Sequence, residues 1–216
     1  MRRESRLQLA GAILLLLASA ALALHGQPSP QQKWVYMAPQ YQQLLTQRSV
    51  YIDPAELLSL MNDDYIHLVI YDVREEPDWN LFHLVDSERV ALDNLTSQRD
   101  RLLALPENAV VVVVSNDEIR ATEAWKRLMV IAKPNVYILE GGLNRWLTIY
   151  GNPAGETAGD GRDRLEEADG TMRHRFVHAL GDRHAAAQPD EHHFPERAYK
   201  PRVRLMKKIA RAGGCD

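Results

Sequence analysis

The chain has 216 residues, 45% of them hydrophobic, which is enough for one cored domain with extensions. A formal net charge of −3 leaves no electrostatic footprint for a nucleic-acid partner, and the single cysteine, Cys215, excludes an internal disulfide and any multi-cysteine zinc site. The charge is uneven: Arg197, Lys200, Arg202, Arg204, Lys207, Lys208 and Arg211 crowd the C-terminal end, after the last glutamate, Glu196.

The first six residues carry Arg2, Arg3 and Arg6, and residues 7–24 are apolar except for Gln8 and Ser19. A basic start, an apolar middle and the small-x-small triplet Ala21-Leu22-Ala23 have the form of an export signal. The apolar run is also near the lower limit of about 17 residues that span a bilayer. Residues 1–24 are therefore a signal peptide or an uncleaved membrane anchor. In either case the rest of the chain faces the extracytoplasmic, periplasmic side, or is secreted after cleavage. Residues 25–48, rich in glutamine and proline, read as a linker.

The globular pattern runs over residues 49–153. Val50-Tyr51-Ile52 is a short strand, and Asp53-Pro54 caps a helix bearing Leu57, Leu58 and Met61 on one side. His67 to Tyr71 is a buried strand ending at Asp72-Val73-Arg74, and Val90-Ala91-Leu92 is brief and strand-like. A helix from about Asn94 to Leu103 stops before Pro106. Five consecutive valines, Val110 to Val114, with no polar alternation predict a strand buried on both faces. The loop Ser115-Asn116-Asp117-Glu118-Ile119-Arg120 follows, then a helix to about Ala132, the strand Val136 to Leu139, the pair Gly141-Gly142, and a helix ending at Tyr150-Gly151. Strands alternating with helices predict an α/β domain with a doubly wound parallel sheet. In such sheets the loop after a buried strand, at a helix N-terminus, is where ligands bind.

Residues 154–216 read as a polar tail, irregular except for a short helix around Met172 to Leu180 and weak helical character over Val203 to Ala212. His174, His178, His184, His192 and His193 are scattered through it without a third ligand at fixed spacing, so neither a metal nor a cofactor is expected. The basic terminus suits either an anionic phospholipid surface or plain solvation.

These motifs resemble the rhodanese family, the single-domain sulfurtransferase fold. Asp72-Val73-Arg74 opens the family's first signature, Trp79 takes its aromatic position, and His83-Leu84 follows. Leu139-Glu140-Gly141-Gly142 with Trp146, Gly151 and Pro153 is similar to its closing pattern. The resemblance implies a rhodanese-type sheet, with an N-terminal hydrophobic helix and an irregular C-terminal tail outside it. It also implies a loop whose leading cysteine takes sulfane sulfur from a donor such as thiosulfate, forms a persulfide and passes it on, while amides and an arginine hold the anion.

The nucleophile position is Ser115 and the closing arginine Arg120, with the four-residue spacing of the sulfur-transferring members rather than the longer phosphatase loop. A serine cannot form a persulfide, and no adjacent base activates it. Asp117 and Glu118 add negative charge where the family holds an anion, and Phe82 and Asp86 replace two glycines of the first signature. Asp72, Arg74 and His83 read as structural hydrogen-bonding residues, Gly141 and Gly142 as positions of positive φ or close approach, and Trp125 and Trp146 as core. Arg120 either orients an anion or pairs with Asp117 or Glu118.

The reading is an exported or membrane-anchored rhodanese-like protein, degenerate in catalysis, acting as a binding or scaffold module. An unknown protein partner or a small anion would bind at the loop, and the membrane would be engaged through the N-terminal helix if uncleaved. The alternative is a sulfurtransferase or a sulfur or redox relay using Cys215, whose thiol sits in a glycine hinge beside basic residues. An intermolecular disulfide or an incidental thiol are the other uses open to it.

Overall fold

A computed structural model describes residues 11–20, 29–131, 135–151, 169–190, 192 and 198–205. The chain divides into two compact units, 1–36 and 37–216. Residues 11–20 are helical, and Leu14 to Leu17 are 66–72% exposed. Among the described residues no helix is long and apolar enough to cross a membrane. The basic start, the triplet at 21–23, Pro153, Lys207, Lys208, Arg211 and Cys215 all lie outside the described residues.

The sheet has five strands, β1 (Tyr51–Ile52), β2 (His67–Asp72), β3 (Ser87–Arg89), β4 (Ala109–Val114) and β5 (Val136–Leu139), all parallel in the order β1-β5-β4-β2-β3. The valine run is the middle strand, and every residue from Ala109 to Val114 is fully buried. Because a strand alternates its faces, Val110, Val112 and Val114 enter one core with Ile70, Leu139, Leu57 and Trp146. The intervening valines face the other layer. Among the described residues, α1 (Pro30–Thr46) precedes the sheet and α2 (Pro54–Met61), α3 (Glu76–Leu81), α4 (Arg99–Ala104), α5 (Ile119–Val130) and α6 (Gly142–Tyr150) alternate with its strands. Asp53 caps α2 by accepting from the Ala55 N–H at 2.8 Å, and Pro54 begins it where a missing N–H costs nothing.

Three expectations are corrected. Pro30–Thr46, read as linker, is helical despite Pro39 in its interior. Its C-terminal half has a surface to pack on: Leu45 is buried, and Tyr41 meets Trp125 edge-on at 5.7 Å. The third strand is Ser87–Arg89 rather than Val90 to Leu92. The helix expected after it is a 3-10 segment, Leu92–Gln98, that runs into α4.

The largest correction concerns the tail. Residues 172–180 are not helical, and the only regular element between Asp169 and Asp190 is a 3-10 turn, Ala185–Ala187. Apart from two local turns, Arg183 N–H to Leu180 O and Ala187 N–H to His184 O, the backbone there bonds the domain. The Leu180 and Gly181 N–H groups donate to Leu81 O, His83 N–H donates to Gly181 O, and Val85 N–H donates to Ala187 O. The Trp146 indole donates to Ala186 O at 2.7 Å, and Ala186 and Ala187 are fully buried in the core. Phe82 has an extended backbone, φ −160°, which needs no glycine, and its buried ring stacks on Phe176 of this strap at 5.7 Å. Asp86, at the other substituted glycine position, keeps a left-handed backbone, φ +58°.

His184 closes the strap. Its Nδ1 accepts from the Ala186 N–H at 3.0 Å, and its ring lies edge-on to Phe82 and Phe176. Burial, and then the nearby His174, push this imidazole below the ordinary histidine range. The folded state therefore prefers neutral His184, and the contribution is present above the unfolded pKa of about 6.5 and lost as the pH falls from there through the lower folded pKa. The melting temperature should drop between about pH 7.5 and about pH 5.5, and drop less in His184→Asn, which keeps a capping acceptor without titrating. Equal slopes in the two proteins would show that His184 does not carry the effect.

Candidate functional site

The site is the loop at the C-terminal end of β4. Its supports come from β2, where Asp72 lies beside Val114 in the ladder. Asp72 and Arg74 are both essentially without solvent contact. Arg74 Nε donates to both Asp72 oxygens at 2.9 and 3.0 Å, and an Nη bonds Oδ2 at 2.6 Å. The same guanidinium donates to Phe82 O at 2.5 Å and to Asn116 Oδ1 at 3.3 Å. One buried cation thus ties β2, the end of α3 and the loop. His83 stacks on Trp79 at 3.8 Å and its Nδ1 pairs with Trp79 O at 2.9 Å, so both rings are committed locally.

Ser115 is buried, and its hydroxyl has two partners. Oγ donates to Asp117 O at 2.5 Å and accepts from the Ala121 N–H at 3.1 Å. It lies within the loop as a turn-forming group, with no base beside it. Asp117 Oδ1 accepts from the Ile119 N–H at 2.8 Å, at the start of α5, and Oδ2 accepts from the Gly170 N–H at 2.7 Å. A carboxylate of the chain itself therefore holds an amide that a bound anion would use. Asn116 Nδ2 donates to Asp78 Oδ2 and, at 2.9 Å, to Gly170 O. Asn144 fixes the same strap further on, donating to Thr171 O and accepting from Arg173 N–H, each at 2.8 Å.

Two expectations about charge are corrected. Glu118 does not point into the loop: it forms a two-pronged pair with Arg48 at 3.0 and 2.6 Å and accepts from the Gly141 N–H at 2.7 Å. Arg120 pairs with neither loop acid. Its Nε donates to Val73 O at 3.0 Å and an Nη meets Glu75 at 2.7 Å. These partners stand far off in sequence, Arg48 by 70 residues and Val73 by 47, so no spacing signals them.

Gly141 and Gly142 have φ of +70° and +62°. A Cβ on Gly142 would sit 2.5–2.7 Å from the carbonyl oxygens of Asp117, Ser115 and Asn116. The α6 N-terminus comes this close because Leu143 N–H donates to Ser115 O at 2.8 Å and Asn144 N–H to Asn116 O at 2.9 Å. The helix start holds the loop's carbonyls and presents no cradle for phosphate. Among the described residues no group of three or more His, Cys, Asp or Glu is placed to hold a metal ion. Gly142→Ala should lose more than about 2 kcal/mol in chemical denaturation, since left-handed strain and overlap with three carbonyls add. Gly170→Ala, also at positive φ but with open space around it, should lose less; equal losses would mean the close approach is not what matters.

Residues 53–148 match the rhodanese-like domain family. No curated protein matches the chain. Among solved structures, a protein from Bacillus halodurans is similar at 19% identity over 50% of this chain and 79% of that one, with a TM-score of 0.40. Two structures of a Lactobacillus plantarum protein are similar at 20% and 24% identity, each over 51% of this chain and 92% of that one, with TM-scores of 0.40 and 0.39. From the Asp53 cap into α6, residues 53–148 of this chain are a rhodanese-like domain.

Proposed function

We propose that this is an exported or membrane-anchored rhodanese-like protein that no longer transfers sulfur and serves as a binding module for a protein partner on the extracytoplasmic side. The observation that carries the reading is the state of the loop. The residue at the nucleophile position is a buried hydroxyl held by Asp117 O and Ala121 N–H, and the Asp117 carboxylate, which accepts from the Gly170 N–H, holds the Ile119 amide. Sulfur transfer needs a thiolate open to its donor. The exposed leucines at 14–17, following Arg2, Arg3 and Arg6, support export or anchoring, because leaving them in water costs roughly 25 cal/mol per Å².

Assayed for thiosulfate-to-cyanide sulfur transfer, the full chain should show no turnover above background. Ser115→Cys should stay inactive, because the new thiol would remain in the buried position with Asp117 and the strap in place. Turnover in the wild type that disappears in Cys215→Ser would instead establish the relay. Expressed with its first 24 residues, the chain should reach the extracytoplasmic side and be digested by added protease in cells with a permeabilised outer layer. Protection until the cells are lysed would overturn export.

A further inference from the structure

The loop is at the C-terminal end of the sheet, whereas a cavity of about 520 Å³ opens at the other end, beside Val50 ahead of β1 and Asn135 and Val136 at the start of β5. Its volume is that of sites which take small organic ligands. The floor is apolar and aromatic: Leu44, Val50, Trp125, Met129 and Tyr137. The polar handles of both rings are turned to the protein, the Trp125 indole donating to Val136 O at 2.9 Å and the Tyr137 hydroxyl bonding the Arg204 backbone. Tyr41, edge-on to Trp125, forms a wall.

The opposite rim is cationic. Among the described residues, Lys200, Arg202 and Arg204 line the cavity and no acidic side chain does, in a chain whose formal net charge is −3. The rim is held from behind by its backbone. Arg202 and Val203 N–H donate to Glu56 Oε1 at 2.8 Å each, and Arg204 N–H donates to the Tyr137 hydroxyl at 2.9 Å. These bonds come from the backbone, and the Arg202 charge also faces Glu56.

We propose that this cavity binds an amphipathic monoanion, a carboxylate on an aliphatic body, with the head at the Lys200–Arg202–Arg204 rim and the body against Leu44, Val50 and Met129. Charge-assisted hydrogen bonds fix the head, and desolvation of the chain drives entry.

Laurate is the probe, used below micelle-forming concentration with the full chain. Calorimetry should give saturable binding that weakens about tenfold or more in Arg202→Ala/Arg204→Ala, the loss expected when charged partners are removed. Dodecanol and acetate should each bind at least about tenfold more weakly than laurate. The double variant should retain its fold by circular dichroism, because the bonds from positions 202 and 204 are made by backbone. A photoreactive laurate analogue should label peptides containing Trp125–Met129 or Lys200–Arg204. Absence of laurate binding, equal affinity in the double variant, dodecanol binding as tightly as laurate, or labelling confined to residues 7–24 would each overturn the proposal.

Discussion

The structure depends on one buried ion pair. Asp72 and Arg74 meet without solvent at the end of β2, and the fork of the guanidinium reaches two further segments, Phe82 O and Asn116 Oδ1. Such a pair adds little net stability, because desolvation offsets the attraction. Removing one member, however, leaves a buried charge unpaired at a cost of about 3–5 kcal/mol. It therefore acts as a constraint, fixing where the loop after β4 and the chain after α3 must lie relative to the sheet. Loop closure follows from it: with Asn116 held on one side, Gly142 brings the α6 N-terminus against the loop's carbonyls on the other.

The closed loop is met by a strap of chain that follows the domain. The strap over residues 169–187 docks through its own N–H and C=O groups, to the backbone of Leu81, His83 and Val85 and to the side chains of Asn116, Asp117, Asn144 and Trp146, with Phe176, Ala186 and Ala187 as its apolar anchors. Phe82 stands where the resemblance calls for glycine, and its ring is the surface on which Phe176 and His184 rest. The departure from the family pattern and the docking of the strap are thus one arrangement. Gly170 carries it to the loop, where its N–H and C=O meet Asp117 and Asn116. The loop's polar groups are thus met by groups of the chain itself.

The two ends of the sheet have opposite characters. At the C-terminal end, acids and arginines cancel in pairs, Glu118 with Arg48 and Arg120 with Glu75. At the N-terminal end, the segment around Arg202 brings Lys200, Arg202 and Arg204 to an apolar hollow, with Glu56 behind them. Glu56 behind that segment illustrates the cost of the arrangement: burial pushes its carboxyl above the usual carboxylate range, although the Val203 and Arg202 N–H groups pull it back.

The sequence by itself determined the parallel α/β sheet, its central valine strand and the Asp53 cap. Each of these is a local signal, a β-branched run or a capping side chain. Only the tertiary structure decided that Glu118 turns to Arg48, that Arg120 turns to Glu75, and that the polar tail is a docked strap. Ion pairs between residues dozens of positions apart leave no periodic trace, and a segment that binds through its N–H and C=O groups can do so with almost any side chains. The helix at Pro30–Thr46 escaped notice for a related reason, since the Trp125 surface against which Tyr41 packs exists only once the domain has folded.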